Sequence, residues 1–205
     1  MKPEKQARHY TVEDYHSWPD DIRCELIDGV IYDMSPAPVI EHQRLSHTLA
    51  VELSVLLRAE KRSGDGGGRG GCELFTAPID VVLATDSVVQ PDLIVVCDPQ
   101  KLANGKYVDG APELVVEILS PATAVKDKRE KRRLYERSGV KEYVLIDPNE
   151  YYAECYRLNR QGEYGLPEIL GSRDAMKLEL FPELDASLGS MFGWPDNDRD
   201  IAERG

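Results

Sequence analysis

Two apolar runs separated by a predicted helix constrain the fold more than any other feature of the chain. Residues 111–120, APELVVEILS, and 141–148, KEYVLIDP, each have the composition of a buried β-strand. The chain between them has helical spacing from about 122 to 138, begins after Pro121 and ends at Gly139. A strand, a crossover helix and a second strand predict that the two strands lie parallel in one mixed sheet.

The flanking segments extend this unit to an α/β (α+β) fold. We predict a central mixed β-sheet flanked by helices, with an N-terminal hairpin that turns at Asp28 and Gly29, and with extra C-terminal strands that turn near Gly162. A long amphipathic helix precedes the sheet, because its leucines recur at helical spacing. The predicted hairpin covers 24–34, the long helix 39–62, the next two strands 73–83 and 87–98, and the C-terminal strand pair 150–170.

Length and composition predict one domain over residues 1–205, with 1–10 and 195–205 as flexible ends. The chain has 205 residues, of which 41% are hydrophobic and 30% are charged, which is enough for one well-buried core. The N-terminal segment lacks the apolar stretch of a signal peptide, and no run approaches the length of a membrane span. We therefore expect no membrane association and a cytoplasmic location.

The cysteines form no metal-binding or redox motif. Cys24, Cys72, Cys97 and Cys155 are far apart in the chain and include no CxxC pair. Cys97 and Cys155 lie in predicted strands, where a buried thiol is the ordinary arrangement. We therefore expect four reduced thiols, as in other intracellular proteins.

The charge distribution is uneven. A net charge of −12 argues against a protein that coats nucleic acid through its overall field. Residues 126–133, KDKREKRR, are nevertheless locally basic, and a second basic group comprises Arg58, Lys61, Arg62 and Arg69. Each group is either a solvated helix face or a local contact surface. The loop 63–71, SGDGGGRGG, lacks the GK[ST] ending of a phosphate-binding P-loop.

Two carboxylates interrupt the apolar runs. Asp92 lies within 88–98, VVQPDLIVVCD, and Glu117 is the only charged residue between Leu114 and Leu119. A carboxylate in a buried strand is costly unless a partner compensates it. If the two strands are neighbours, like charges on one face require a cation between them. Oxygen ligands suit Mg²⁺ or Mn²⁺, so the sequence predicts a metal site at Asp92 and Glu117.

The predicted helix supplies a cation. Leu134 and Tyr135 mark its apolar stripe, and a step of three or four residues back along the helix reaches Lys131. Lys131 therefore lies inward, where its ammonium either extends to solvent or reaches the carboxylates. Two carboxylates, a hard cation and an ammonium together can activate water and neutralise charge on a phosphoryl oxygen. The reaction that this indicates is phosphodiester hydrolysis.

The motifs QPDLIVV, ELVVEILSP and DKREKRRLYERSGVKEYVLIDP, in this order, resemble the PD-(D/E)XK nuclease superfamily. Within it, the chain is similar to the Uma-type family of restriction-endonuclease-like proteins common in bacteria, and ELIDGVIYDMSP and EHQRLSHTLAVEL extend the likeness to roughly residues 11–192. The resemblance implies a restriction-endonuclease-like core. It also implies a metal-dependent endonuclease that hydrolyses nucleic acid, with DNA as the expected substrate.

The resemblance also implies three catalytic residues. Asp92 matches the acid of the PD motif, and Glu117 matches the acid of the second motif. Leu119 occupies the position where the superfamily pattern has lysine, and in families like this one the lysine has moved to the following helix. Lys131 is the match there, with Lys128 as the nearest substitute, because the chemistry requires an ammonium at a point in space.

Further residues are candidates for supporting roles. His42, at the start of the long helix, occupies a position that the family favours. It either contacts substrate or a ligating carboxylate, or is a capping or surface histidine. Asp127 is expected to pair with Lys131, since residues four apart on a helix are neighbours. Asp80 is a candidate ligand through water. Glu25 matches the family but could equally pair with a core-side cation, so we assign it no metal role.

Two other classes of protein remain open at this stage. The first is a catalytically inactive member of the fold that acts as a binding or regulatory protein, which the acidic charge and the missing in-strand lysine favour. The second is a sugar hydrolase with two carboxyl groups and no metal, although the sequence places no aromatic platform near either acid. A nuclease that cuts both strands commonly works as a two-fold dimer, which makes a homodimer the alternative to a monomer.

Overall fold

The computed structural model describes residues 8–19, 21–34, 38–63 and 71–195, with the side chains of 60–63 excepted. Of the predicted flexible ends, 1–7 and 196–205 fall outside the described residues, as do most of the 63–71 loop and the side chains of Lys61, Arg62 and Arg69.

Two mixed sheets and the helices around them make up the described fold. The strands, in chain order, are β1 (Cys24–Ile27), β2 (Val30–Asp33), β3 (Glu73–Thr76), β4 (Val81–Ala84), β5 (Ser87–Val89), β6 (Leu93–Val96), β7 (Val108–Asp109), β8 (Leu114–Ile118), β9 (Glu142–Asp147), β10 (Tyr152–Arg157) and β11 (Glu168–Leu170). The helices are α1 (Val12–Ser17), α2 (Ile40–Ser63), α3 (Ala124–Lys126), α4 (Arg132–Ser138) and α5 (Leu188–Phe192), with a 3₁₀ turn at Pro99–Leu102 and a π-helical turn at Asp127–Lys131.

The larger sheet confirms the predicted parallel strand pair. Its order is β11-β10-β9-β8-β6-β3, and β8 runs parallel to β9 with Glu117 opposite Leu145. The helical segment from α3 to α4 makes the crossover and ends at Gly139, whose φ of 87° is a left-handed conformation that favours glycine. On the other side β6 runs antiparallel to β8 with Leu93 opposite Val116. Asp92, one residue before β6, consequently lies beside Glu117.

Two predicted strands are longer than the observed ones, because each splits between the two sheets. The segment 87–98 divides into β5 and β6, and 73–83 divides into β3 and β4. The breaks fall at Pro91 and Pro78, which lack the N–H that a sheet ladder needs. β4 and β5 join the predicted hairpin in a smaller sheet of order β2-β1-β5-β4-β7. Asp92 thus lies at the junction of the sheets and not in the middle of a strand.

Helices cover both faces of the larger sheet, as predicted. The α2 leucines, Leu45, Leu49 and Leu53, are fully buried against one face, together with Val116 and Val144. The opposite face carries a second buried cluster that holds Leu134 and Tyr135 together with Val115, Tyr143 and Leu145. Burial of each large apolar side chain contributes about 1.5–3 kcal/mol. This packing fixes α2 and α4 relative to the strand ends that carry Asp92 and Glu117.

The N-terminal hairpin forms as predicted. β1 and β2 pair antiparallel through a tight turn in which Asp28 and Gly29 both have positive φ, at 53° and 72°. β1 also pairs with β5, with Leu26 opposite Val88, so the hairpin is anchored beside the segment that leads to Asp92. This position brings residue 25 into the region of the candidate site.

The expectation of four reduced cysteines is wrong, because Cys72 and Cys97 form a disulfide. The register of β3 and β6 explains the pairing, since Glu73 lies opposite Val96 and the next position outward holds both cysteines. Their separation of 25 positions in sequence conceals this adjacency. Cys24 and Cys155 are free and buried, as expected.

The described helices include none that is both long enough and apolar enough to cross a bilayer.

Candidate active site

A cavity of about 720 Å³ opens where the two sheets, α2 and the helical crossover meet. Its wall includes five of the residues that the sequence singles out. These residues are Asp92, Glu117, Lys131, Asp127 and His42. The fold thus gathers side chains from four separate segments of the chain at one concave surface, which is the usual setting of a catalytic site.

Asp92 is held by contacts from two neighbouring elements. Its Oδ2 accepts a hydrogen bond of 2.8 Å from the backbone N–H of Ile118 in β8, and lies 3.1 Å from Nε2 of His42 in α2. Both contacts use Oδ2, and Oδ1 takes part in neither. The side chain is 20% exposed, so this carboxylate faces the cavity rather than the core.

Glu117 is almost completely buried at the end of β8. Its Oε1 accepts hydrogen bonds of 2.8 Å from Lys131 Nζ and of 2.8 Å from the Tyr135 hydroxyl. Burial raises the pKa of Glu117 to about 8, since the attraction of Lys131 does not offset the loss of hydration and the nearby charges of Asp127 and Asp92. In the absence of further positive charge, Glu117 is therefore largely protonated at neutral pH.

Lys131 lies inward, as the apolar stripe of the helix predicts, and its ammonium contacts three carboxylates. Its Nζ lies 2.8 Å from Glu117 Oε1, 2.7 Å from Glu25 Oε1 and 3.6 Å from Asp127 Oδ1. Burial lowers the pKa of the ammonium, but the three negative charges outweigh it and raise that pKa well above its ordinary value. Lys131 therefore remains charged, although one ammonium cannot neutralise three carboxylates.

A π-helical turn places Asp127 and Lys131 at the site. Residues Asp127–Lys131 form it, and the backbone N–H of Arg132 donates to the carbonyl of Asp127 five residues earlier. Such turns are uncommon and occur frequently at functional sites. Asp127 and Lys131 are the buried residues of this turn. Among the described residues, Oδ1 of Asp127 has no hydrogen-bond partner, so its contact with Lys131 is purely ionic.

His42 contacts Asp92 from the first turn of α2. Burial lowers the pKa of His42, but the hydrogen bond to Asp92 and the charge of that carboxylate raise it above its ordinary value overall. Its second ring nitrogen, Nδ1, is buried without a hydrogen-bond partner among the described residues. The structure therefore shows that His42 contacts the candidate ligating carboxylate Asp92, which is one of the alternatives from the sequence.

Glu25 pairs with core-side cations, as one of the alternatives from the sequence has it, but the sequence does not reveal which cations these are. It is 2% exposed and reaches Lys131 from the hairpin, while its second oxygen, Oε2, lies 2.5 Å from Lys126 Nζ. Burial raises the pKa of Glu25, but the two ammonium groups outweigh it and hold the pKa below its ordinary value. The signal in the sequence is a lone acid in the apolar run CELI, but its partners lie about a hundred residues away.

Two other candidates lie outside this cluster. Lys128 Nζ donates to the Tyr152 hydroxyl at 2.7 Å and to Glu154 Oε1 at 2.9 Å, so its ammonium is directed to β10. Asp80 accepts hydrogen bonds from the Tyr15 hydroxyl and from Gln90 Nε2. Neither side chain lines the cavity.

The charges of the cluster fit a divalent cation. Four carboxylates face two ammonium groups and one imidazole, so with all four acids ionised the cluster is negative whether or not His42 is protonated. The acids are Glu25, Asp92, Glu117 and Asp127, and the lysines are Lys126 and Lys131. Within the described ranges, no group of three or more His, Cys, Asp or Glu side chains has the arrangement of a metal site. Mg²⁺ needs only one or two carboxylates, because water and substrate oxygens complete its shell.

Two proteins of one cyanobacterial strain are similar to this chain in sequence. The chain is 28% identical to "Uncharacterized protein slr1290" of Synechocystis sp. (strain ATCC 27184 / PCC 6803 / Kazusa), over 82% of this chain and 83% of that protein. It is 27% identical to "Uncharacterized protein sll1609" of the same organism, over 73% of this chain and 80% of that protein.

A solved structure shares this fold. It is the crystal structure of "a putative nuclease belonging to DUF820" from Anabaena variabilis ATCC 29413, which superposes with a TM-score of 0.71. The likeness covers 90% of this chain and 98% of that chain at 19% identity, so it concerns the fold alone. The model of the Uma2 family, described as "Putative restriction endonuclease", matches residues 12–189. This chain is therefore a member of the Uma2 family.

Proposed function

We propose that this protein is a metal-dependent endonuclease that hydrolyses phosphodiester bonds of nucleic acid, with DNA as the first substrate to test. One observation carries the proposal: Asp92, one residue before β6, lies beside Glu117 of the neighbouring strand β8 at a cavity, with Lys131 Nζ 2.8 Å from Glu117. The family, described as one of restriction endonucleases, and the nuclease fold support the same reaction.

Asp92 and Glu117 are the residues that would hold Mg²⁺ or Mn²⁺. When bound, such an ion lowers the pKa of water and neutralises charge that develops on phosphoryl oxygens. Lys131 places a permanent positive charge beside the same carboxylates, so it stabilises negative charge in the transition state or orients the attacking water. His42 fixes the orientation of Asp92 by its contact with Oδ2, which is the usual role of an outer contact to a ligating carboxylate.

Exposed positive charge on the helical crossover offers a contact for an anionic substrate despite the net charge of −12. Arg129 and Arg133 are exposed on the helical segment that carries Lys131. Basic side chains of this kind contact phosphates irrespective of sequence. We also propose that residues 1–205 act as one domain in the cytoplasm, and that cleavage of both strands requires a two-fold dimer.

The proposal is tested by incubating supercoiled plasmid, linear duplex DNA and structured RNA with wild type in Mg²⁺, in Mn²⁺ and in EDTA. Wild type is expected to cut at least one substrate with either metal and none in EDTA. Asp92→Asn, Glu117→Gln and Lys131→Met are each expected to lose about 10²- to 10³-fold in rate. Glu150→Gln, which alters an exposed acid in a surface turn, serves as the matched control.

Two outcomes would overturn the proposal. Cleavage that persists in EDTA, or that Asp92→Asn and Glu117→Gln leave unchanged, would exclude a metal site at these carboxylates. Nucleic-acid binding without cleavage under any metal condition would identify a binding or regulatory protein that keeps the fold.

A further inference from the structure

Glu25 connects two lysines at the wall of the cavity. Its Oε1 lies 2.7 Å from Lys131 Nζ and also accepts the backbone N–H of Gln90 at 3.0 Å, while Oε2 lies 2.5 Å from Lys126 Nζ. Both oxygens of Glu25 are therefore engaged by cations of the protein. This arrangement suits a residue that positions ammonium groups better than one that ligates a metal.

The π-helical turn explains how two lysines five residues apart reach one carboxylate. In an α-helix, residues five apart point about 140° away from each other, because each residue advances by about 100°. The hydrogen bond from Arg132 back to Asp127 instead closes a wider turn, in which residues five apart lie roughly one turn apart. The distortion thus brings Lys126 and Lys131 to the same side of the segment.

The two lysines differ in their surroundings. Lys131 is 4% exposed and surrounded by three carboxylates, whereas the Lys126 side chain is 14% exposed and has Glu25 as its ionic partner among the described residues. Both line the cavity, and the ring of Tyr32 lies 6.0 Å from Lys126 Nζ. An ammonium has three N–H donors, so Lys126 has capacity for another acceptor. Glu25 and Tyr32, both from the hairpin, hold it at the cavity wall.

We propose that Lys126 binds a non-bridging phosphate oxygen of the nucleic-acid backbone, with Glu25 as its positioning residue. This inference rests on the proposed function, since the cavity must receive nucleic acid. A lysine held in the wall of the cavity that Asp92 and Glu117 also line supplies a point charge for a phosphate adjacent to the scissile one. Lys126 thus contributes to substrate binding. Lys131 supplies the positive charge beside the reacting phosphate.

The test measures binding of a fluorescent DNA duplex by anisotropy over a range of salt concentrations. Ca²⁺ replaces Mg²⁺, and gels verify that the duplex stays intact. Loss of one phosphate contact is expected to reduce the slope of log K against log salt by about 0.9, and to weaken binding about eightfold at 0.1 M salt. Lys126→Met removes the charge, and Lys126→Gln removes it while it keeps a donor for Glu25.

Lys101→Met is the matched control, because Lys101 is likewise ion-paired, to Glu113 at 2.9 Å, and does not line the cavity. It changes the net charge equally and is expected to keep the wild-type slope. Wild-type slopes in both Lys126 variants would refute the inference while leaving the endonuclease proposal intact. Absence of nucleic-acid binding by wild type would instead refute the proposed function itself. Thermal unfolding of each variant verifies that it is folded.

Discussion

Replacement of Glu117 by glutamine should stabilise the metal-free protein, and increasingly so as the pH rises. Burial raises the pKa of this carboxyl group from 4.5 to about 8. A carboxyl group with a higher pKa in the folded than in the unfolded state binds its proton more tightly when folded. The stability that this proton provides is complete below pH 4.5 and is lost as the pH rises through 8.

The size of this stability change follows from the difference between the folded and unfolded pKa values of Glu117. Each pH unit between the two pKa values corresponds to about 1.4 kcal/mol, so ionisation of Glu117 lowers the free energy of unfolding by about 3 kcal/mol at pH 7. Glutamine keeps an oxygen that can accept from Lys131 and Tyr135 and carries no charge. Glu117→Gln should therefore match wild type near pH 4.5 and exceed it by about 3 kcal/mol at pH 7.

Urea unfolding in EDTA from pH 4.5 to 8, followed by circular dichroism, measures this difference. Glu150→Gln is the control for loss of an exposed acid, and its curve should follow that of wild type. Addition of Mg²⁺ at pH 8 should stabilise wild type and leave Glu117→Gln unchanged, because a ligand that binds only the folded state shifts the equilibrium. A Glu117→Gln variant that is no more stable than wild type at pH 8 would refute the reasoning.

Three further predictions concern residues around the site and the disulfide. Lys131→Met leaves buried carboxylates without their shared cation, and should lower the free energy of unfolding by about 3–5 kcal/mol in urea titrations; a loss below 1 kcal/mol would contradict the assigned ion pairs. His42→Ala removes the outer contact of Asp92, and should weaken Mg²⁺ binding about 10- to 100-fold by calorimetry, with unchanged affinity as the contrary result. The double variant Cys72→Ser/Cys97→Ser should lower the free energy of unfolding by about 2–4 kcal/mol. Alkylation of the unreduced, denatured wild type should label the two free thiols, and labelling of four thiols would exclude the disulfide.

Local patterns in the sequence predict much of the candidate site. Asp92 and Glu117 stand out as charges in apolar runs, and the strand, helix and strand order predicts that β8 and β9 are parallel. The apolar stripe through Leu134 and Tyr135 places Lys131 inward, as observed. Each of these inferences depends on residues that are close in sequence, where periodicity and composition are informative.

Features that depend on distant parts of the chain are not predicted. Glu25 reaches Lys131 only because Pro91 divides a predicted strand between two sheets and thereby places the hairpin beside the cavity. The register of β3 and β6, which joins Cys72 to Cys97, leaves no mark in composition. The π-helical turn has no recognisable sequence signal either, so the convergence of Lys126 and Lys131 is visible only in the structure.

The most direct test of the central claim is calorimetric titration of Mg²⁺ and Mn²⁺ into wild type and into Asp92→Ala. The account predicts that wild type binds either ion, with or without a DNA duplex, and that the substitution abolishes binding because Asp92 and Glu117 together hold the ion. Equal binding by Asp92→Ala, or no binding to wild type even with duplex present, would contradict the claim that these carboxylates form a metal site.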